Sequence, residues 1–269
     1  EYGVLTGIDS AYVGEGLGIC DNFVDFSLKP VLQSVVKFDP SLNPKEVLNI
    51  FQMLNFEDPS LNVEWSDILG QLQINVMGII QLEVLKHEVM ERFNIDVSFE
   101  EPEVLYMETI KTETIGFGHF EPYRHLAEVK FKMTPTKRNS GISYSSNISH
   151  DVLNPRWQRT VSKLIEPACK RGILTGSPVT DIHVELIKGV AHHQYTAGGD
   201  FNQATTRAIR QGLESTENLL LEPVYKFKIT APQDLCGRIM NDITKMYGTF
   251  DSPVIIGSNS IIAGRVPVA

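Results

Sequence analysis

Val31-Leu32-Gln33-Ser34-Val35-Val36-Lys37 reads as a strand, and after Asn43-Pro44 the residues Val47, Ile50, Phe51 and Leu54 recur at the spacing of one helix face. Asparagine at a cap followed by proline at the first helical position marks that helix start, since the amide oxygen takes an orphan N–H and proline has none to orphan. Beyond the turn at Glu57-Asp58-Pro59-Ser60, apolar Leu61, Val63 and Trp65 alternate along the chain. Leu72, Ile74 and Val76 alternate likewise with Gln71, Gln73 and Asn75, and Gly78 ends the strand. A second amphipathic helix then places Leu82, Leu85, Val89 and Phe93 on one face, and Ile95 to Phe99 close the unit. The order β-α-β-β-α-β is that of a ferredoxin-like split βαβ module spanning 31–103.

Outward from this module the pattern changes. Residues 1–30 hold short apolar runs broken by Gly3, Gly7, Gly14, Gly16 and Gly18, and read as the last strands of a β-barrel. Residues 104–222 suggest strands near 104–111, 126–133 and 181–187 and helices near 154–171 and 200–215. In the first helix Trp157, Val161, Leu164, Ile165 and Ala168 form the apolar stripe, with a kink expected at Pro167. In the second, Phe201, Ala204, Ala208 and Leu213 face inward. Residues 223–269 repeat the opening rhythm as β-α-β-β, one helix and one strand short of a second ferredoxin-like module. The fold class expected is α+β and multidomain, as 269 residues also suggest.

Composition narrows the function classes. No window approaches the roughly 20 apolar residues of a membrane helix, and no basic segment leads an apolar one at the N-terminus. Cys20, Cys169 and Cys236 lie far apart, which argues for a reducing, cytoplasmic setting rather than a disulfide scaffold. The net charge of −9 is unevenly spread: residues 1–103 carry 5 basic and 18 acidic side chains, while 104–222 carry 14 and 12. The basic part can still dock on phosphates where its cations cluster.

No G-x-x-x-x-G-K-[ST] or G-x-G-x-x-G occurs, so neither standard phosphate cradle is encoded, and no nucleophile triad stands out. His119, Glu121 and His125 form the best metal candidate, a second-class reading as a metal-dependent hydrolase. The stronger signal is two loops beside basic helices. One, Lys137 to Asn147, offers Arg138, Asn139, Ser140, Gly141, Tyr144, Ser145 and Ser146. The other, Val190 to Gly199, offers His192, His193, Gln194, Tyr195 and Thr196, whose rings and donors suit unpaired RNA bases. Lys137, Arg156, Arg159, Lys163, Arg207 and Arg210 are the candidate phosphate contacts.

Four motifs then point to a family. Phe56-Glu57-Asp58-Pro59-Ser60-Leu61, Gly78-Ile79-Ile80-Gln81-Leu82-Glu83-Val84, Thr175-Gly176-Ser177-Pro178-Val179-Thr180-Asp181 and Leu220-Leu221-Glu222-Pro223 occur in the order and spacing of the C-terminal half of translational GTPases. Lys226-Phe227-Lys228-Ile229-Thr230-Ala231-Pro232-Gln233 and Asn241-Asp242 resemble the tetracycline ribosomal-protection proteins, relatives of elongation factor G. The resemblance implies the end of domain II at 1–30, domain III at 31–103, a ribosomal protein S5 domain 2-like domain IV at 104–222 and a truncated domain V at 223–269. It implies no catalysis or cofactor in this chain, with GTP and Mg belonging to a preceding GTPase domain. It also implies a ribosomal partner: the domain IV arm would touch 16S rRNA of the small subunit through tips at Arg138–Ser146 and His192–Thr196. Elongation factor G has a Gly-rich stretch where this chain has Phe120-Glu121-Pro122-Tyr123-Arg124-His125, and a translocation arm is the alternative within the class.

Overall fold

The computed structural model describes residues 13, 14, 16, 30–66 and 69–268, so the expected barrel strands at 1–30 and Cys20 lie outside the described residues. The fold is α+β, with several antiparallel or mixed sheets and five α-helices among the described residues. Two compact units divide it: Tyr106–Glu222, and the flanking segments up to Leu105 and from Pro223.

The first flanking segment contains β1 (Leu32–Phe38), α1 (Pro44–Glu57), β2 (Glu64–Ser66), β3 (Gln71–Val76), α2 (Ile79–Phe93), β4 (Val97–Phe99) and β5 (Glu103–Val104). The sheet order is β2-β3-β1-β4, antiparallel throughout, and β5 also pairs with β1. Asn43 caps α1 by accepting the Lys45 N–H at 3.1 Å, and Asp58 accepts the Ser60 N–H to open a single 3-10 turn. Leu61 belongs to that turn rather than to a strand, and it is buried there. Val47, Phe51 and Leu54 of α1 and Leu82, Leu85 and Val89 of α2 close over Val36, Leu72, Ile74 and Val76. Arg92 grips both carboxylate oxygens of Glu57 at 2.8 and 2.6 Å, tying α2 to α1.

Tyr106–Glu222 holds β6 (Met107–Ile110), β7 (Thr114–Phe120), β8 (Ala127–Pro135), β9 (Ile142–Ser146), α3 (Pro155–Ala168), β10 (Ile182–Ala191), α4 (Gly198–Glu214) and β11 (Asn218–Leu221). Four strands run in the order β7-β8-β10-β9, the last pair parallel, and β6 pairs separately with β11. Phe131, Met133, Val184 and Leu186 on one sheet face meet Val161 and Ile165 of α3 and Phe201, Ala204, Ala208 and Leu213 of α4. Pro167 sits one residue before the end of α3, where the Cys169 N–H already turns back to the carbonyls of Ile165 and Glu166. β7 and β9 are strands that the sequence pattern misses. In β7 the residues facing α4 include Gly116 and Gly118, and an added Cβ there would stand 2.0 Å from the Ala208 carbonyl oxygen and 1.8 Å from that of Ala204. Helix and strand backbones thus approach as closely as glycine alone allows, and an apolar period cannot register on residues without side chains.

The second flanking segment holds β12 (Val224–Pro232), a 3-10 turn at Gln233–Leu235, α5 (Cys236–Lys245), β13 (Thr249–Phe250), β14 (Val254–Ile256) and β15 (Asn259–Pro267). β15 is central, with β12 along one side and the two short strands β13 and β14 along the other. Gly257, with φ +62°, makes the β14–β15 turn, a backbone conformation other residues adopt at a cost. Gly237 in α5 has no such need and nothing within 4 Å of an added Cβ, so Gly237→Ala should stabilise this segment by about 0.5–1 kcal/mol, read from a chemical denaturation curve.

Candidate nucleic-acid interface

The ladder between β8 and β10 decides which of the expected contact residues can act together. Ile182 pairs with Pro135 and Ala191 with Ala127, so the loop after β8 and the loop after β10 leave opposite ends of the sheet. Along β10 that separation is about 30 Å. The structure therefore does not bring Arg138–Ser146 and His192–Thr196 into one tip.

One end is the root. There the chain enters by β6 and leaves by β11, and β6 is bound to the segment leading into β10 through Glu108 N–H to the Pro178 carbonyl and Thr180 N–H to the Glu108 carbonyl. The first loop belongs to this end and is closed on a buried carboxylate. Asp181, 2% exposed, accepts the N–H groups of Asn139, Ser140 and Gly141 at 3.2, 3.0 and 3.1 Å, and Arg138 stands 3.8 Å away. Asn139 and Gly141 take φ of +65° and +67° to wrap it. Lys137 and Arg138 are exposed, but the expected loop ends at Gly141, and Tyr144, Ser145 and Ser146 lie in β9. Tyr144 is half-buried against the core with its hydroxyl enclosed, and burial pushes that phenol up to about 12, so its ring is not offered for stacking. Ser143 and Ser145 bond the two ring nitrogens of His183 at 2.8 Å each, and Ser146 donates to Gln158.

The opposite end is free of chain crossings, and the second loop builds it. His192 stacks on Tyr195 with centroids 4.5 Å apart and planes 14° from parallel, and His193 leans on His192 at 4.8 Å. Thr196 fixes the turn: its hydroxyl accepts the His192 N–H at 2.7 Å and donates to the carbonyl of Leu126. Gln194 is exposed at the turn apex. The neighbour across this end is the β7–β8 turn, Glu121 to Leu126, which the sequence reading leaves out of the contact set. Tyr123 is 85% exposed there and Arg124 lies over its ring at 5.3 Å. Pro-Tyr-Arg after a glycine-punctuated strand is the available signal, lost because β7 itself is not recognisable from the apolar period.

The basic helices divide in the same way. Arg207, at the middle of α4, donates to the His119 carbonyl at 2.8 Å and lies over Phe120 at the free end of β7, whereas Arg210 is engaged with Glu214 at 3.1 Å. On α3, Arg156 stacks over Trp157 at 5.1 Å, Arg159 reaches the Pro155 carbonyl, and Lys163 is exposed.

The three metal candidates do not converge. His119 meets Glu121 at 3.0 Å, but His125 turns to Asp200 at 2.9 Å, and among the described residues no three His, Cys, Asp or Glu side chains group to hold an ion. Cys169 is buried, and burial reinforced by the charge of Glu166 pushes its thiol up to about 12. Its alkylation at pH 8 should be undetectable in the native protein and complete in denaturant, by mass spectrometry of the Cys169 peptide.

Comparison with known proteins agrees with this architecture. Residues 102–217 match elongation factor G, domain IV, and residues 219–269 match the elongation factor G C-terminus. The chain is therefore a C-terminal portion of an elongation factor G-like protein, related to both the elongation factors and the ribosomal-protection proteins. The tetracycline resistance protein TetP of Clostridium perfringens is 30% identical over all of this chain and 42% of its own length. Elongation factor G of Cereibacter sphaeroides is 30% identical over 90% of the chain and 35% of its own, and that of Aquifex pyrophilus 26% identical over all of it and 40% of its own. The chain thus spans under half the length of the relatives it matches. A crystal structure of a protein from Thermus thermophilus superposes with TM-score 0.67 over 91% of this chain and 37% of the other at 24% identity, a likeness of fold. The matched regions are domain IV and the C-terminus, neither of them the GTP-hydrolysing domain. No described helix is long and apolar enough to cross a membrane.

Proposed function

We propose that Tyr106–Glu222 is an arm of ribosomal-protection type that presents its free end to 16S rRNA of the small ribosomal subunit in the cytoplasm. The observation that carries this reading is the stack of half-buried His192 with exposed His193 and Tyr195 at the end opposite the chain crossings, beside Tyr123 and Arg124. Stacking faces at that end suit unpaired bases, and each stacked base contributes about 1–3 kcal/mol. Arg207 stands close enough to this end to meet phosphate, while Lys137, Arg138, Arg156, Arg159, Lys163 and Arg210 are placed to act along the flanks or at the root.

The same reading takes the sheet order β2-β3-β1-β4 as a ferredoxin-like domain III at 31–103, the central unit as an S5 domain 2-like domain IV at 104–222, and the last segment as a partial second ferredoxin-like domain at 223–269. GTP and Mg belong to the GTPase domain of the full-length parent.

Co-sedimentation with small ribosomal subunits, with chemical probing of 16S rRNA, tests the arm. The variant carrying His192, His193, Gln194 and Tyr195 all changed to alanine is expected to bind at least tenfold more weakly and to lose protection at the decoding centre. Lys137→Ala with Arg138→Ala is expected to keep that protection. The reverse pattern would place the contact at the root and overturn the reading.

A further inference from the structure

The free end is made of two loops from different connections, 121–126 and 191–197, and one buried carboxylate holds both. Asp200 is 4% exposed. Its Oδ2 accepts the Ala197 N–H at 2.8 Å, and its Oδ1 takes the Nδ1–H of His125 at 2.9 Å. An acidic residue in the first turn of a helix accounts for the first bond, since it satisfies an orphan donor there. It does not account for the second, which reaches 75 residues back along the chain to another loop.

That loop needs an external hold. The β7–β8 ladder stops at Phe120 opposite Ala127, so no strand pairing extends over 121–126. Within the turn, closed by His125 N–H to the Pro122 carbonyl at 2.9 Å, Arg124 sits at φ +59°. A long side chain in the left-handed region costs roughly 1 kcal/mol and persists only where the surroundings impose it. Beside the His119–Glu121 contact at its start, the turn is held from α4 and the loop before it by Asp200 on His125 and Thr196 on Leu126, while Arg207 holds His119 and Phe120 just ahead of it. His125 in turn sets its ring edgewise against Phe120 at 6.3 Å.

We propose that Asp200, acting through His125, is a positioning residue that latches the 121–126 turn beside the 191–197 stack, so that Tyr123 and Arg124 meet RNA in one surface with His192, His193 and Tyr195. The RNA part rests on the function proposed above; the latch itself does not.

His125→Ala cuts the latch while leaving the Asp200–Ala197 bond in place, and His125→Asn restores an N–H donor where Nδ1 stood. Hydrogen–deuterium exchange of the 121–126 amides in His125→Ala should rise at least tenfold, with Cys169 still protected from alkylation, and binding to small subunits should fall about tenfold. His125→Asn should recover most of both, which loss of mere packing would not allow. Unchanged exchange in His125→Ala overturns the latch. Raised exchange with full binding, while the four-alanine stack variant loses binding, overturns the shared surface. If the four-alanine variant also binds fully, the ribosomal reading fails instead, and exchange with its recovery in His125→Asn decides the latch alone.

Discussion

Gly118→Ala should leave the central unit unable to hold its native packing, with a loss of at least about 3 kcal/mol, at or beyond the upper end of ordinary over-packing costs. The new methyl would lie 1.8 Å from the Ala204 carbonyl oxygen and 2.8 Å from the Ala208 nitrogen, both helix backbone with no side chain to swing aside. α4 would have to lift from β7, uncovering Ala204 and Ala208, which are fully buried. Gly116→Ala should behave alike, since its methyl meets the Ala208 carbonyl at 2.0 Å. The measurement is alkylation of Cys169 against denaturant concentration: its midpoint should drop sharply in both variants, and a midpoint within the scatter of the unsubstituted protein would show that the helix yields.

Glu108→Ala should cost about 3 kcal/mol or more by the same readout. The carboxylate, 1% exposed, accepts N–H groups from Ile173, Leu174, Thr175 and Ser177 at 2.7, 2.9, 2.9 and 3.2 Å. Removing a charged acceptor leaves those donors without their partner, and bonds to a charged group contribute about 1.5–3 kcal/mol each before the loop relaxes toward water. Burial by itself raises this carboxyl, yet the N–H groups of Leu174, Thr175 and Ile173 outweigh it and hold it below the ordinary range. A depressed folded value means the stabilisation is present above the unfolded value, about 4.3, and is lost as pH falls through the folded one. The unsubstituted unit should therefore weaken on acidification below about pH 4, and Glu108→Gln should start lower and show a flatter acid limb. Equal acid limbs would remove Glu108 from the account. Gly172 reinforces the same contact, because a Cβ there would lie 2.1 Å from the Glu108 carboxylate.

The first segment was legible because each of its layers repeats: Leu72, Ile74 and Val76 alternate, Val47, Phe51 and Leu54 follow the helix period, and Asn43-Pro44 states the boundary. The central unit was only partly so. β7 hid behind Gly116 and Gly118, whose role is to be absent from the period, and β9 hid in a serine run because its outward Ser143 and Ser145 pair with His183 rather than with a core. The stack of His192 and Tyr195 was readable as chemistry from composition. Its partner was not, because the β8–β10 register is a non-local fact: nothing between Arg138 and His192 in the sequence states that the two loops leave opposite ends, or that Tyr123 is the neighbour across the gap. Asp200 was legible as a helix-start residue and illegible as a bridge, since its second bond spans 75 positions.

Entry by β6 and exit by β11 put both chain crossings of the central unit at one of its ends. With about 30 Å of strand between root and free end, a rotation of about 10° at the root sweeps the aromatic end through about 5 Å, more than the thickness of a stacked base. On the function proposed above, a turn at the root would carry the far loops across stacking distance with no change inside the unit, while Glu108 and Asp181, two enclosed carboxylates, each cinch a loop at that root.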